Sequence, residues 1–458
     1  MIHVFTMNGC NIAVDGNSGS VHVLDNISNN ILKNMEKFTP LDEILDLSGV
    51  DYSAEDIVEA YNEIMILKEQ NLLFSSDEII SEAIATKKNT DGMKALCLHV
   101  SHDCNLNCEY CFASKGDYRS GRKLMSGEVA LKAVDFLVEN SGERQHIEID
   151  FFGGEPLMNF EVVEKAVVYG RQIENKSDKK FHFTITTNGT LLDKYKIEFI
   201  NEQMDNVVIS LDGRKEVHDA IRYDKAGRGS YDRIVPLAQE LVAGRKGKSY
   251  FIRGTYTAKN KDFSKDVMHL ADLGFKEISI EPVVGSENKF FIKESDSPEI
   301  LREYEEFAVE YLKCLREGKD IRFYHFNVDL YKGPCIYKRV AACGAGFEYF
   351  AVSPEGYLYP CHQFVGQEGF VVGDIYNGIN NVLLCNSFKG NNILSKEKCR
   401  DCWAKLLCAG GCHANAWYSN GDIAQPNDIA CTLQKKRIEC AIMIQVARQI
   451  DSKVPAGG

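Results

Sequence analysis

No unbroken apolar run of about 18 residues occurs in the 458-residue sequence, which excludes a conventional membrane-spanning helix. Met1 to Cys10 carries no basic stretch followed by an apolar core and a small-residue cleavage site, so no secretory signal is expected. Basic residues are scarce in the first module. Residues 1–90 contain 5 Lys or Arg against 15 Asp or Glu, most of the chain's formal charge of −13. An acidic module of that kind repels a phosphate backbone, so neither nucleic acid nor a membrane is an expected partner.

Cysteine, by contrast, is abundant. Sixteen occur, three within one short loop and eight between positions 343 and 431. Disulfide frameworks are seldom so polarised, and a long chain without an export signal favours metal or cluster ligation. The expected setting is cytoplasmic, in an anaerobic or reducing environment. A hydrophobic fraction of 44% and a charged fraction of 26% fit a globular protein, and the length predicts several domains.

Residues 1–90 read as a small α+β unit. Alternation predicts short strands in Met1–Thr6, Asn11–Val14 and Ser20–Leu24. Thr39-Pro40 starts one helix and Ser53 caps another, which carries Ile57, Val58, Tyr61, Ile64 and Met65. Leu72–Phe74 is expected to begin a wing, giving a winged-helix-like module, and Lys87–Gly92 to be a linker. From about 94 to 284, β-rich runs alternate with helical patterns. Strands are predicted at Lys94–Val100, His146–Phe152, Phe181–Thr187, Asn206–Leu211, Tyr250–Tyr256 and Glu277–Glu281. Helices are predicted at Ser126–Glu139, Phe160–Ile173, Tyr231–Val242 and Phe263–Leu273. Repeated strand–helix units imply an α/β fold with a parallel sheet, here a partial (β/α)6 barrel. Residues 285–335 read as a charged helical connector and 336–435 as a Cys- and Gly-rich segment with little periodicity, short of apolar surface unless stapled. A helix is expected over 432–450 and a loose tail over Ser452–Gly458.

Two constellations carry chemistry. The first is Cys104-x3-Cys108-x2-Cys111. Three clustered thiolates suit three irons of a [4Fe–4S] cube and leave the fourth open; a zinc site completed by a distant ligand is the alternative. The loop follows the first predicted strand. Gly153-Gly154-Glu155-Pro156, Thr187-Asn188-Gly189, Ser210-Leu211-Asp212-Gly213 and Glu281-Pro282-Val283 sit at the ends of others. Carboxyl ends of parallel strands converge on a site. The second constellation is Cys343 and Cys361, then Cys399-x2-Cys402-x5-Cys408-x3-Cys412, then Cys431, for which one or two structural zinc sites are the alternative.

The first loop, with Tyr110 before its last cysteine, resembles the signature of the radical SAM superfamily. That resemblance implies a cluster that binds and reductively cleaves S-adenosylmethionine to a 5′-deoxyadenosyl radical. It assigns Gly153 and Gly154, with Glu155 beside them, to the cofactor's amino group, and Ser210 to its ribose or methionine part. Arg222 falls to its carboxylate and Val283 to adenine; Tyr110 and Asn188 join the cofactor site. The second constellation resembles the SPASM domain of radical SAM enzymes that modify peptides and proteins, which carries two further [4Fe–4S] clusters. By that resemblance Cys399, Cys402, Cys408 and Cys431 hold an outer cluster, and Cys343, Cys361 and Cys412 an inner one. The eighth ligand is Cys335, Cys385 or Cys440, or an open iron that takes a peptide thiolate; the open iron is the preferred reading.

Sulfatase maturases place an Asp where His362 stands, which argues against that activity; His362 is a candidate base. An N-terminal winged-helix-like unit resembles the peptide-recognition element of enzymes that modify ribosomally made peptides, where a leader adds a strand to the sheet edge. The expected organisation is therefore 1–90 recognition module, 94–310 radical SAM partial barrel and 311–458 SPASM domain. As a whole the chain resembles thioether-forming maturases of six-cysteine (SCIFF-type) peptides. That resemblance implies a Cys-rich precursor peptide and a low-potential electron donor as partners. Other radical peptide modifications, such as side-chain oxidation or a carbon–carbon crosslink, and a multi-cluster electron-transfer protein are the alternatives.

Overall fold

The computed structural model describes residues 1–35, 39–48, 52–87, 92–284, 289–330, 335–341 and 343–453. Three antiparallel strands open the chain in the order β1-β2-β3: β1 (Ile2–Met7), β2 (Cys10–Asp15) and β3 (Val21–Leu24). Helices follow at Asn26–Asn34, Leu41–Ser48, Ala54–Glu69 and Glu78–Lys87. Ser53 caps the third of these as predicted. Its Oγ accepts from the Asp56 amide at 3.2 Å and donates to the Asp56 carboxylate at 2.7 Å. The inner face, Ile57, Ala60 and Ile64, packs with Ile31, Leu32 and Ile44. The expected wing is not there: Leu72–Phe74 forms no strand. Asn71, just before that stretch, and Phe74, at its end, hold φ of 56° and 54°, a left-handed backbone that breaks extension. The module is a strand meander followed by helices. Most of the predicted linker, Lys87–Gly92, lies outside the described residues.

The predicted strands at 94–284 all form, within two residues of their expected ends. They are β4 (Ala95–His102), β6 (His146–Gly153), β7 (Lys180–Thr187), β8 (Asn206–Ser210), β9 (Ser249–Tyr256) and β10 (Glu277–Pro282). They lie parallel in chain order; the two-residue β5 (Lys123–Leu124) pairs antiparallel with the end of β4. Helices Gly127–Asn140, Phe160–Glu174, Lys194–Gln203, Tyr231–Ala243 and Phe263–Asp272 fill the crossovers. β6 and β7 each start on an exposed residue and then alternate between buried and half-buried positions, whereas every residue of β4 is buried. The sheet does not close on itself, so the barrel is partial.

The segment read as a connector does more than connect. Helix Ser297–Arg316 buries Ile300, Tyr304, Phe307 and Leu312 and packs on the long helix Asp428–Lys453. A further parallel strand, β11 (Arg322–Phe323), extends the sheet beside β10. The Cys-rich segment also has strands that its sequence hides: β12 (Tyr349–Val352), β13 (Tyr357–Tyr359), β14 (Gly373–Asp374) and β15 (Gly378–Ile379). β12 pairs parallel with β4, Tyr349 opposite Ala95 and Val352 opposite Leu98, so the segment is joined to the barrel's own sheet. The first module rests on the same segment. Its His3 ring stacks on Trp403 at 4.0 Å, and a side chain at Gly16 would meet the Trp403 backbone at 2.8 Å. The last helix runs to Lys453, through the start of the predicted tail; the rest of that tail lies outside the described residues.

Candidate functional site

The cysteine loop leaves the end of β4 and lies flat against the β6 turn. Gly154 donates its amide to Ser101 O at 2.7 Å, and Glu155 donates to Asp103 O at 2.9 Å. A Cβ on Gly154 would come within 2.3 Å of Asp103 O, and Gly153 holds φ of 138° against the Ser101 carbonyl. These glycines are therefore required by the loop's close approach, whatever else their backbone meets. Glu155 is fully buried. Its carboxylate accepts from the Thr187 hydroxyl at 2.7 Å and from the Asn188 and Leu157 amides at 2.8 and 3.0 Å. Burial pushes it up to about 7 against those three donors. It faces the protein rather than the cavity, and it fixes Asn188, whose Nδ2 donates to Cys104 Sγ at 3.7 Å.

One cavity is lined by Cys104, Cys108, Cys111, Tyr110, Gly153, Gly154, Asn188, Ser210, Arg222, Val283 and His362. Five strand ends and the Cys361 turn thus converge, as the spacing of motifs predicted. Asp212, which the sequence reading left without a role, organises one wall. Fully buried, it accepts from Arg222 Nε at 2.9 Å, from the Tyr110 hydroxyl at 2.8 Å and from the Thr255 amide at 3.0 Å. The Arg222 guanidinium lies 5.2 Å from the centre of the Tyr110 ring, and its Nη1 is 4.0 Å from Cys108 Sγ. Only Nε is spent on Asp212, which leaves the fork to meet an anion in the cavity. Asp212 stood in plain view within Ser210-Leu211-Asp212-Gly213; the signal was a carboxylate ten residues before an arginine at a strand end. Arg253 and Glu281 also line the cavity and form an ion pair at 2.7 Å. Glu281 is held at about 2, because Arg253, His325 and Arg437 overcome its burial.

The downstream cysteines fall into two neighbourhoods. Burial pushes the Cys431 thiol up to about 12, with Cys408, Cys399 and Cys402 beside it pressing the same way. Cys399, pushed up to about 11, has Cys408 and Cys402 as its thiol neighbours. Cys361 and Cys412, also raised by burial, lie with Cys343. Of the possible eighth ligands, Cys440 is buried and donates to Tyr304 O at 3.4 Å, a packing role. Cys385 is raised by burial alone, and Cys335 is exposed at the start of helix Ile336–Arg339.

All sixteen cysteines are free thiols. Among the described residues, no three His, Cys, Asp or Glu side chains close around a point that a single ion would occupy. Burial pushes Cys104 up to about 12 and Cys108 up to about 11, so their thiolates need a positive partner. Iron supplies one. The Leu106 amide, 3.4 Å from Cys104 Sγ, and Asn188 give the N–H donors that suit cluster sulfur. The donor set fits the expected iron–sulfur group.

His362 borders the cavity between Phe112 and Phe152, with ring centres 5.8 and 5.1 Å away, and hydrogen-bonds with the Tyr349 hydroxyl at 3.2 Å. Burial, then Arg253, pulls it down to about 4.

The radical SAM superfamily profile matches residues 98–243, and the SPASM iron–sulfur cluster-binding domain profile matches residues 343–403. The chain carries a radical SAM domain and a SPASM domain. Cys408, Cys412 and Cys431 lie beyond the second match. An uncharacterized protein of Methanocaldococcus jannaschii is 35% identical over 192 residues, 42% of this chain, and the match spans only 63% of that relative. A cysteine-type anaerobic sulfatase-maturating enzyme of Clostridium novyi is 26% identical over 346 residues, 70% of this chain and 89% of that enzyme. The antilisterial bacteriocin subtilosin biosynthesis protein AlbA of Bacillus subtilis is 24% identical over 81% of this chain and 79% of its own. Two solved structures share the fold. Native anSMEcpe with bound AdoMet and Cp18Cys peptide has a TM-score of 0.64 at 23% identity, covering 78% of this chain and 99% of that one. Streptococcus suis SuiB bound to precursor peptide SuiA has a TM-score of 0.53 at 16% identity, covering 93% and 98%. Among the described residues, no helix is long and apolar enough to cross a membrane.

Proposed function

We propose that this protein is a radical SAM maturase that installs a cysteine-derived thioether in a ribosomally made precursor peptide. One observation carries the reading: His362 and Gln363, the two residues after Cys361, line the same cavity as the three loop cysteines. The neighbourhood of three downstream thiols therefore adjoins the place where the cofactor would sit. A fourth position beside Cys343, Cys361 and Cys412 suits a substrate cysteine. The relatives' names support a peptide or protein substrate, through sulfatase maturation and bacteriocin biosynthesis, and the anSMEcpe and SuiB structures hold peptides.

Cys104, Cys108 and Cys111 would hold a [4Fe–4S] cluster that, with S-adenosylmethionine, would supply hydrogen-atom abstraction chemistry, and the electron released on C–S bond formation would pass to the downstream clusters. The chain's own residues bind and orient. Arg222 offers its fork to the cofactor carboxylate while Asp212 holds its angle. Ser210 and Val283 serve the ribose and adenine ends. Asn188, set by Glu155, donates toward Cys104. Cys399, Cys402, Cys408 and Cys431 form the closed outer site, and a low-potential donor supplies electrons. Residues 1–90 serve as the leader-binding module. β3 is one of the two outer strands of its sheet, which suits strand addition by a peptide. His362, neutral at physiological pH, helps shape the wall.

The test is incubation of the iron-reconstituted protein with S-adenosylmethionine, reductant and a Cys-rich precursor peptide. The expected product is lighter by two hydrogens and has lost one free thiol. A lighter product with every thiol retained would replace the thioether with a carbon–carbon crosslink or with oxidation of a side chain other than cysteine, the second reading. Iron spectroscopy decides the fourth position: peptide should perturb the inner-site signal in wild type and in Cys335→Ser alike. A signal indifferent to peptide would remove the open position.

A further inference from the structure

Lys396 is a buried cation whose setting the cofactor site does not explain. Its side chain is 2% exposed, and its ammonium donates to the Gly410 carbonyl at 2.8 Å. That carbonyl is its sole hydrogen-bond acceptor, and no carboxylate pairs with it, among the described residues. An ammonium has three donors, and a buried charge without a counterion is costly. Lys405, 4% exposed, shows how the same fold treats an ordinary buried lysine. It donates to Arg400 O at 2.8 Å and has Asp77, Asp401 and Asp15 around it. The titratable neighbours of Lys396 are instead four cysteines, Cys399 and Cys408 from the outer neighbourhood and Cys412 and Cys343 from the inner one, with His413 beside them. The residue is built into the scaffold that shapes the outer neighbourhood. Its carbonyl accepts from the Cys399 and Arg400 amides at 3.0 and 2.9 Å, and Gly410, its acceptor, lies between Cys408 and Cys412.

We infer that Lys396 is the shared counterion of two auxiliary iron–sulfur clusters, tuning both potentials together. The inference rests on the reading that those cysteines hold clusters. Each such cluster is anionic and gains one further negative charge when it takes up an electron. A fixed cation stabilises the reduced form and raises the reduction potential. One ammonium between two sites raises both, so an electron leaving one cluster, which is thereby oxidised, can reduce the other over a nearly level step. Lys396 touches neither substrate nor the loop at Cys104; it is a positioning charge.

The experiment is an anaerobic redox titration of the holoenzyme followed by electron paramagnetic resonance, with Lys396→Gln, Lys396→Met and Lys396→Arg beside wild type. Iron is counted first. About twelve irons per chain are expected for three cubes, and a wild type with only four defeats the cluster reading without bearing on the lysine. With twelve present, Lys396→Gln and Lys396→Met should lower the reduced-to-oxidised ratio of both auxiliary clusters, at the wild-type midpoint, by tenfold. For one electron that is a 59 mV fall. The Cys104 cluster should not move, and Lys396→Arg should stay near wild type. A shift confined to one auxiliary cluster, no shift, or an equal shift of all three overturns the inference. Should the neutral variants lose the auxiliary irons, Lys396→Arg decides: retention of all irons upholds the shared charge, and loss there refutes it.

Discussion

The loop at Cys104–Cys111 and the cysteines from 343 to 431 use the same donor atom in opposite settings. The loop hangs from a regular strand, and its supports come from other strand ends: Asn188 from β7, Arg222 and Asp212 from beyond β8, Gly153 and Gly154 from β6. Its geometry is set by a parallel sheet that exists for its own packing reasons. The downstream thiols are carried by turns and four-residue helices, with Cys431 on the long helix that starts at Asp428, and β12 on β4 anchors the segment. There the expected clusters would be part of what holds the chain. The loop opens onto a cavity; the outer neighbourhood of four thiols is a closed set.

The sharpest way to break this contrast is to remove one thiol from each region. Cys108→Ala is expected to lower cofactor cleavage by about 10³-fold or more, since the proposed function starts the reaction at this loop. Cys361→Ser should leave cleavage within about threefold of wild type yet abolish peptide crosslinking. Chromatography of 5′-deoxyadenosine and mass spectrometry of the peptide read the two separately. Full crosslinking by Cys361→Ser would mean that the two regions do not divide the work.

The next test concerns the loop's supports. Asp212→Asn removes the charge that orients Arg222 and Tyr110 while keeping the shape. Outer-shell partners of this kind are worth about 10–100-fold. Cofactor binding by equilibrium dialysis should weaken by about that factor, with iron content unchanged. Unchanged affinity would show that Arg222 holds its angle without Asp212.

Metal removal sharpens the comparison from the other side. After anaerobic chelation, amide exchange should rise about tenfold or more across 343–431 while β6, β7 and β8 stay protected. Equal loss of protection in both regions would show that the barrel also depends on iron.

The same contrast decided what was legible in the sequence. β6 through β9 were readable because one face of each is buried and the other less so, which gives a period of two, and β10 because it is a short apolar run; their turns carry Gly, Asn and Asp. The cysteine spacing marked the loop. Strands β12 to β15 were not readable, since so few residues show no period and their register comes from β4, some 250 residues earlier. The wing was misread because Leu72–Phe74 is apolar enough for a strand, while the left-handed φ at Asn71 and Phe74 is a tertiary choice. Lys396 escaped because a lone charged residue in a sequence carries no sign that it will be buried, whereas Asp212 stood in a strand-end motif and was passed over.

His362 should give the smallest effect, and it tests where the two regions meet. A histidine base with an ordinary pKa near 6.5 contributes about 10²–10⁴-fold, and its rate rises with pH as it loses its proton. His362 is pulled down to about 4 by burial and then by Arg253, so it is already deprotonated from pH 6 to 8. It also lacks the proton affinity that such a base needs. His362→Asn should therefore change crosslinking by less than about threefold, and the pH–rate profiles of variant and wild type should superimpose between pH 6 and 8. A hundredfold loss, or a limb near pH 6.5 that vanishes in the variant, would return His362 to the role of base. The Cys361 turn would then do chemistry of its own rather than only closing the cavity.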